Sequence, residues 1–164
     1  MLSKRKLEER ELRKQKILDG ALKVFKIHGI EKTTMDEVAH ESGFGKATLY
    51  YYYTSKDEVF VDIMVKGWKD LWEGIESRIV EEKSPKEKFS GIIKKIGLIV
   101  WNNKNLYGFL FTAPNHIQDT SKQVWKTYQE RLYAILKSII DEGIKKKEFV
   151  DINPGLLMKA IGGL

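Results

Sequence analysis

The sequence contains no cysteine, which excludes a disulfide framework, a thiolate metal site and a cysteine nucleophile. It also lacks any run of roughly 18 apolar residues, the length that a helix needs to span a bilayer. The amino terminus is charged where a signal peptide carries an apolar core. We therefore expect a cytoplasmic protein that does not associate with membranes.

An excess of charge of one sign occurs only at the amino-terminal end of the chain. Residues 1–26 contain nine Lys and Arg against four acidic residues, and they supply most of the net charge of +6. A basic segment on a nearly balanced body is typical of nucleic-acid-binding proteins. A solvated helix face would produce the same pattern, so charge alone leaves both interpretations open.

The apolar residues recur with the period of an α-helix, and no segment shows the convincing alternation of a strand. The first apolar stripe consists of Ile17, Leu18, Ala21, Val24, Phe25 and His28, and it ends at Gly29. Because His28 falls on this stripe, we expect it to be a core residue and not a metal ligand.

N-capping motifs mark the beginnings of three further helices, at residues 34–37, 55–58 and 84–87. Glycines 43 and 45 interrupt the first of these helices, and a second short helix is expected over about 46–52. The motif at 55–58 opens a long helix.

The second half continues the helical pattern, and all three prolines lie at expected helix boundaries. We expect a loop over 102–105, a short apolar helix over 106–111 ended by Pro114, and a long helix that opens at 120–123 and closes near Gly143. Another helix is expected to begin at Pro154, and only about eleven residues, 154–164, are left for it. We expect this last helix to be truncated, which would weaken a dimer built on it.

These elements predict an all-α protein with two parts. Residues 1–54 form three short helices, the last two joined by a glycine turn, which is the pattern of a helix-turn-helix DNA-binding domain. Residues 55–164 form a helical body for effector binding and dimerisation. In the second helix of the motif, Leu49 and Tyr53 are four residues apart and can pack inward, which leaves the other side chains free to face DNA.

From about residue 17 to residue 60 the sequence resembles the tetracycline-repressor (TetR) family of transcriptional regulators. The resemblance rests on an apolar first helix ending in glycine, a threonine pair, an acid-Val-Ala run, a glycine turn and the closing run LYYYYTSKDE. It implies that Thr33 or Thr34 donates to phosphate at the start of the second helix, that the recognition helix reads bases, and that a lysine clamps phosphate. The implied DNA-binding residues are Thr33, Thr34, Gly45, Lys46, Ala47, Thr48, Tyr50, Tyr51, Tyr52 and Lys56.

Two positions depart from the family pattern. Gly45 stands where many relatives have serine or threonine, so the recognition helix lacks a side-chain cap. Tyr53 stands where phenylalanine is common, so its hydroxyl needs a partner.

The resemblance also implies a cavity in the body for a small effector, apolar or aromatic in character. The candidate wall residues are Trp68, Trp72, Phe89, Trp101, Tyr107, Phe111, Trp125 and Tyr128. No cofactor, metal or catalytic cluster is expected. The implied function is that of a ligand-responsive repressor that binds a palindromic operator in double-stranded DNA as a homodimer.

Two other classes of protein would account for part of this pattern. A helical lipid-binding protein with a basic arm on anionic membranes would explain the charge and the aromatic residues. It would not explain the glycine turn or the spacing of the capping motifs. A helical enzyme would need a cluster of serine, histidine and acidic residues that the sequence does not suggest.

Overall fold

A computed structural model describes residues 3–79, 84–113, 124–151 and 153–157. In these ranges the chain forms α-helices and no strand, which confirms the predicted all-α class. The helices are α1 (Lys4–His28), α2 (Met35–Ser42), α3 (Lys46–Tyr52), α4 (Lys56–Ile79), α5 (Pro85–Asn102), α6 (Lys104–Thr112) and α7 (Lys126–Lys145). A further turn of helix covers 154–157.

The chain divides into two compact units. The first comprises Met1–Lys66 with Asn105–Val124, and the second comprises Gly67–Lys104 with Trp125–Leu164. Helix α6 therefore belongs to the same unit as α1, α2 and α3, whereas α5 and α7 belong to the other. Among the described residues, no helix is long and apolar enough to cross a membrane.

In the first unit, α1 packs against α2 because a glycine lets the two backbones approach closely. A β-carbon added at Gly20 would lie 2.8 Å from the backbone nitrogen of Ser42. The apolar stripe of α1 is buried as predicted, from Ile17 to Phe25. Gly29 then ends the helix with a φ of 76°, a conformation that favours glycine.

In the second unit, α5 begins as predicted with a capping box, in which Ser84 and Glu87 exchange hydrogen bonds, followed by Pro85 at the first helical position. Helix α5 packs against α7. After α7 the chain returns to α5, where the ring of Phe149 lies 5.7 Å from that of Phe89. The predicted helix start at Pro154 is confirmed for one turn, in which the Asn153 side chain accepts from the amide of Leu156.

Two details of the sequence analysis are wrong. The loop predicted over 102–105 consists of Asn103 alone, because α6 begins at the next residue. The amide of Asn103 donates to the carbonyls of Ile99 and Val100. His28 is exposed, because the turn at Gly29 brings Ile30 into the core in its place. The predicted helix end at Pro114, the helix start at 120–123 and the last residues of the final helix lie outside the described residues.

Candidate nucleic-acid interface

The helix-turn-helix is formed by α2, a three-residue turn and α3. Thr34 caps α2: its hydroxyl accepts from the amide of Glu37, and the Glu37 carboxylate accepts from the amide of Thr34 at 2.7 Å. This bond from a backbone N–H lowers the pKa of Glu37. Gly43 has a φ of 73° and makes the turn, as the sequence predicts. Gly45 precedes α3 and gives it no side-chain cap, which confirms the expected departure.

Helix α3 has one buried side and one exposed side. Leu49 within α3 and Tyr53 directly after its last residue are buried, as predicted. Tyr51 is the most exposed of the tyrosines, at 72%, and its ring meets that of Tyr52 edge to face with centroids 5.2 Å apart. Among the expected DNA-binding residues, those exposed in the structure are Thr34, Gly45, Lys46, Ala47, Tyr50 and Tyr51, and those partly exposed are Thr48, Tyr52 and Lys56.

Thr33 does not take the place that the sequence analysis gave it. Its side chain is only 2% exposed, and its hydroxyl donates to the carbonyl of Gly29 at 2.8 Å. A hydroxyl that is buried and already bonded cannot also bind phosphate from solvent. Thr33 therefore holds the turn between α1 and α2, and Thr34 is the threonine that faces outward.

Lys56 also has a structural partner that the sequence did not reveal. Its ammonium donates to the carbonyl of Glu31 at 2.7 Å and to that of Thr33 at 3.2 Å. These bonds tie the first residue of α4 to the turn that precedes α2. In this arrangement Lys56 supports the interface, while its role as a phosphate clamp stays a prediction.

The hydroxyl of Tyr53 finds its partner in Asp62 of α4. It donates to the Asp62 carboxylate at 2.8 Å, and the ammonium of Lys14 lies 3.1 Å from the same oxygen. Burial, and after it the contact with Asp62, raises the pKa of Tyr53 well above its ordinary value. The tyrosine is therefore neutral and able to donate, and this cluster joins the end of α3 to α1 and α4.

Three of these positioning residues were missed by the sequence analysis: Gly20, Lys14 and Asp62. A glycine inside the apolar stripe of α1 is a signal of close packing, since it costs about 1 kcal/mol in a helix. The unsatisfied hydroxyl of Tyr53 predicted a partner without identifying it. Nothing in the sequence pairs Lys14 with a carboxylate 48 positions away.

The eight expected effector-binding aromatics are divided between the two units. Tyr107 and Phe111 belong to the first unit, and the other six belong to the second. Trp101 is 76% exposed and Phe111 is 52% exposed, so neither forms the wall of an enclosed cavity among the described residues. Both lie in the last turn of a helix whose buried side is formed by other residues. Trp68 and Trp125 are buried, and Trp72, Phe89 and Tyr128 are partly exposed.

In the described ranges, no group of three His, Asp or Glu side chains is placed to hold a metal ion. The polar groups of the first unit are instead used in caps, in ion pairs and in the Tyr53 cluster.

Comparison with known proteins agrees with this architecture. Residues 17–63 match the family model described as "Bacterial regulatory proteins, tetR family". The chain is 24% identical to the uncharacterized HTH-type transcriptional regulator YfiR of Bacillus subtilis, over 94% of this chain and 82% of that protein.

Two solved structures share the fold. One is the transcriptional regulator FadR of Bacillus subtilis in complex with stearoyl-CoA, with a TM-score of 0.72 and 22% identity over 91% of this chain and 81% of that one. The other is AibR in complex with isovaleryl coenzyme A and operator DNA, with a TM-score of 0.77 and 19% identity over 88% of this chain and 78% of that one. Residues 17–63 therefore form a domain of the tetR family of bacterial regulatory proteins, and the chain shares the fold of solved TetR-family transcriptional regulators.

Proposed function

We propose that this regulator is a repressor that binds a palindromic operator as a homodimer and is released by a small, largely apolar effector. Residues 1–54 would bind DNA, and residues 55–164 would bind the effector and form the dimer. The observation that carries the proposal is the exposed side of α3, where Lys46, Ala47 and Tyr51 face solvent while Leu49 packs in the core.

The chemistry of this side suits the major groove. A lysine can donate to a guanine edge or to phosphate, and an alanine methyl can contact the methyl group of thymine. Tyrosine hydroxyls can donate to phosphate oxygens and so set the register of the helix on the duplex. In a dimer, two copies of α3 would enter successive major grooves about 34 Å apart, which is why we expect an inverted repeat.

The first turns of α1 add a second, sequence-independent contribution. Residues 3–13 are exposed and carry Lys4, Arg5, Lys6, Arg10 and Arg13. Two of these pair with acids one turn away, Lys4 with Glu8 and Arg13 with Glu9. The charge that remains favours the approach of a polyanion and makes binding depend on salt.

An alternative to a largely apolar effector is an acyl-coenzyme A thioester, whose acyl chain is apolar and whose coenzyme A part is charged, because two proteins of the same fold are named in complex with such molecules. The candidate walls that the structure leaves in the second unit are Trp68, Trp72, Phe89, Trp125 and Tyr128. Aromatic walls suit an acyl chain, and a ligand that prefers one state of the protein by ~1–3 kcal/mol would weaken DNA binding about 5–150-fold.

The test of DNA recognition is a selection of random duplexes on the purified protein, repeated with Lys46→Ala and Tyr51→Ala. We expect enrichment of an inverted repeat that is relaxed or lost in both variants. Trp101→Ala is the matched control, since this aromatic side chain is about as exposed as Tyr51 but lies in the second unit. Salt-dependent binding with no enriched sequence, or equal binding to anionic vesicles, would contradict the proposal.

The test of the effector is a titration of the operator complex with acyl-coenzyme A thioesters of increasing chain length. We expect release of DNA that depends on chain length, accompanied by a change in tryptophan fluorescence. Coenzyme A without an acyl group is the control and should leave the complex intact. Native mass spectrometry of the free protein and of the complex would test the dimer.

A further inference from the structure

An ion pair lies at the start of the recognition helix. Lys46, the first residue of α3, places its ammonium 2.5 Å from a carboxylate oxygen of Asp36 in the first turn of α2. Both side chains are more than half exposed. The hydrogen bond to Asp36 raises the pKa of Lys46, so the lysine stays protonated and keeps its donors.

Asp36 is not needed to cap α2. The neighbouring Glu37 completes the capping box, since its carboxylate accepts from both the amide and the hydroxyl of Thr34. Asp36 therefore stands as an additional negative charge on the surface where phosphates would approach. A negative charge at this place weakens any binding that depends only on the DNA backbone.

The pair also restrains a flexible side chain. A lysine has three N–H donors on a flexible stem and loses rotamer freedom when it is fixed. Asp36 uses one donor and holds the ammonium at the amino-terminal end of α3, which leaves the other donors for DNA. Lys46 is then ordered before DNA binds, so binding loses less side-chain entropy.

We propose that Asp36 determines specificity, by holding Lys46 for the operator and by offsetting its charge toward other DNA. At the operator, the restrained lysine donates to its base or phosphate without leaving Asp36. On unrelated DNA, where backbone charge supplies the binding, the same carboxylate weakens the complex. The inference rests on the proposed function, because it requires that α3 be the element that reads the operator.

The test compares Asp36→Asn with Glu41→Gln. Glu41 is a matched control because it lies on the same helix and forms an exposed ion pair with Lys23 at 3.1 Å. Each substitution removes one negative charge and one ion pair. Dissociation constants are measured for the selected operator and for a scrambled duplex over a range of salt concentrations, and melting curves confirm that both variants fold.

We expect Asp36→Asn to tighten binding to the scrambled duplex by about 1.5- to 5-fold, the range of an exposed ion pair. The dependence of log K on log salt should steepen by about 0.9, as for one added phosphate contact. Affinity for the operator should stay the same or fall, so the ratio of the two affinities decreases. Glu41→Gln should leave this ratio unchanged.

A double variant separates a direct effect on the lysine from a general effect of charge. In the Lys46→Ala background, adding Asp36→Asn should no longer change the ratio of affinities. If Asp36→Asn and Glu41→Gln raise both affinities equally, or if the ratio changes without Lys46, the inference is overturned. If the unaltered protein does not distinguish any operator from scrambled DNA, the proposed function fails first and the inference with it.

Discussion

The two units of this regulator are stabilised in different ways. In the first unit, individual polar and glycine residues have specific contacts: Thr33 bonds Gly29, Lys56 bonds the turn before α2, and Gly20 lies against Ser42. In the second unit, α5 and α7 pack through apolar side chains, and a β-carbon added at Gly74 or Gly143 would meet the side chain of Ile99 or Phe149 and not backbone.

This difference fits the roles proposed for the two units. A DNA-reading surface needs α2 and α3 held in one geometry, which requires directional bonds and close backbone contacts. A body that responds to an effector needs shape and burial, which many apolar sequences can supply. The comparison predicts that substitutions at the specific contacts of the first unit have larger effects than substitutions of the same residue types at exposed or weakly bonded positions of the second.

The largest difference is expected between a buried leucine of the first unit and an exposed leucine of the second. Leu49 is fully buried in α3, so Leu49→Ala should lower the free energy of unfolding by about 2–5 kcal/mol. Leu98 in α5 is 60% exposed, and Leu98→Ala should change it by less than about 0.5 kcal/mol. Urea denaturation followed by circular dichroism measures both. Similar losses in the two variants would contradict the burial of Leu49 in the core of the first unit.

Tryptophan fluorescence sharpens this experiment. All four tryptophans of the chain, Trp68, Trp72, Trp101 and Trp125, belong to the second unit. If Leu49→Ala shifts the circular dichroism transition and leaves the fluorescence transition in place, the two units unfold separately. A common shift would show that they unfold together.

A pair of glycines should give effects of opposite sign. In Gly20→Ala the new methyl group would collide with the backbone of Ser42, and overpacking of this kind costs about 1–3 kcal/mol. In Gly97→Ala the methyl group enters open space within a helix, where alanine is favoured over glycine by about 0.5–1 kcal/mol. Thermal melting measures both changes, and stabilisation by Gly20→Ala would contradict the close approach of α1 and α2.

A pair of tyrosines tests the cluster around Asp62. Tyr53→Phe removes the bond to Asp62 and should cost about 1–2 kcal/mol, since the acceptor is charged and the tyrosine is buried. Tyr133 makes only a 3.4 Å contact with Gln129, so Tyr133→Phe should cost less than about 0.5 kcal/mol. The free energy of unfolding is measured for both. No loss in Tyr53→Phe would show that the hydroxyl exchanges its partner for water.

The smallest difference concerns two glutamates in acid. The pKa of Glu37 lies below its ordinary value of 4.5 because Thr34 donates to it. The unfolded chain then binds more protons near pH 4, so this stabilisation is present above pH 4.5 and is lost as pH falls through the pKa of the folded state. Glu37→Gln should flatten the fall of melting temperature in this range.

Glu142 is the control for Glu37, because the pKa of its carboxylate is also lowered, in this case by Lys146. Its partner is an exposed side chain instead of a backbone N–H, so Glu142→Gln should alter the acid profile less. A larger effect for Glu142→Gln would show that the cap at Thr34 is not the stronger of the two interactions.

Most of the fold could be predicted from local signals in the sequence. The stripe of α1, the capping boxes at Thr34 and Ser84 and the turn at Gly43 each depend on residues within a few positions of one another. Such signals act through backbone geometry and short-range hydrogen bonds, so they can be recognised without knowing the fold. For the same reason the exposed and buried sides of α3 were predicted correctly from the spacing of Leu49 and Tyr53.

The contacts between distant parts of the chain could not be predicted in this way. Asp62 meets Tyr53 and Lys14, and Lys56 meets the carbonyl of Glu31, only because the packing of the helices brings these residues together. Spacing along one helix says which residues share a side, but not which residue of another helix lies opposite. The sequence therefore defines the helices and their turns. Tertiary packing decides which residue is the polar partner of a distant side chain, and it also decides the burial of Thr33 and the exposure of Trp101.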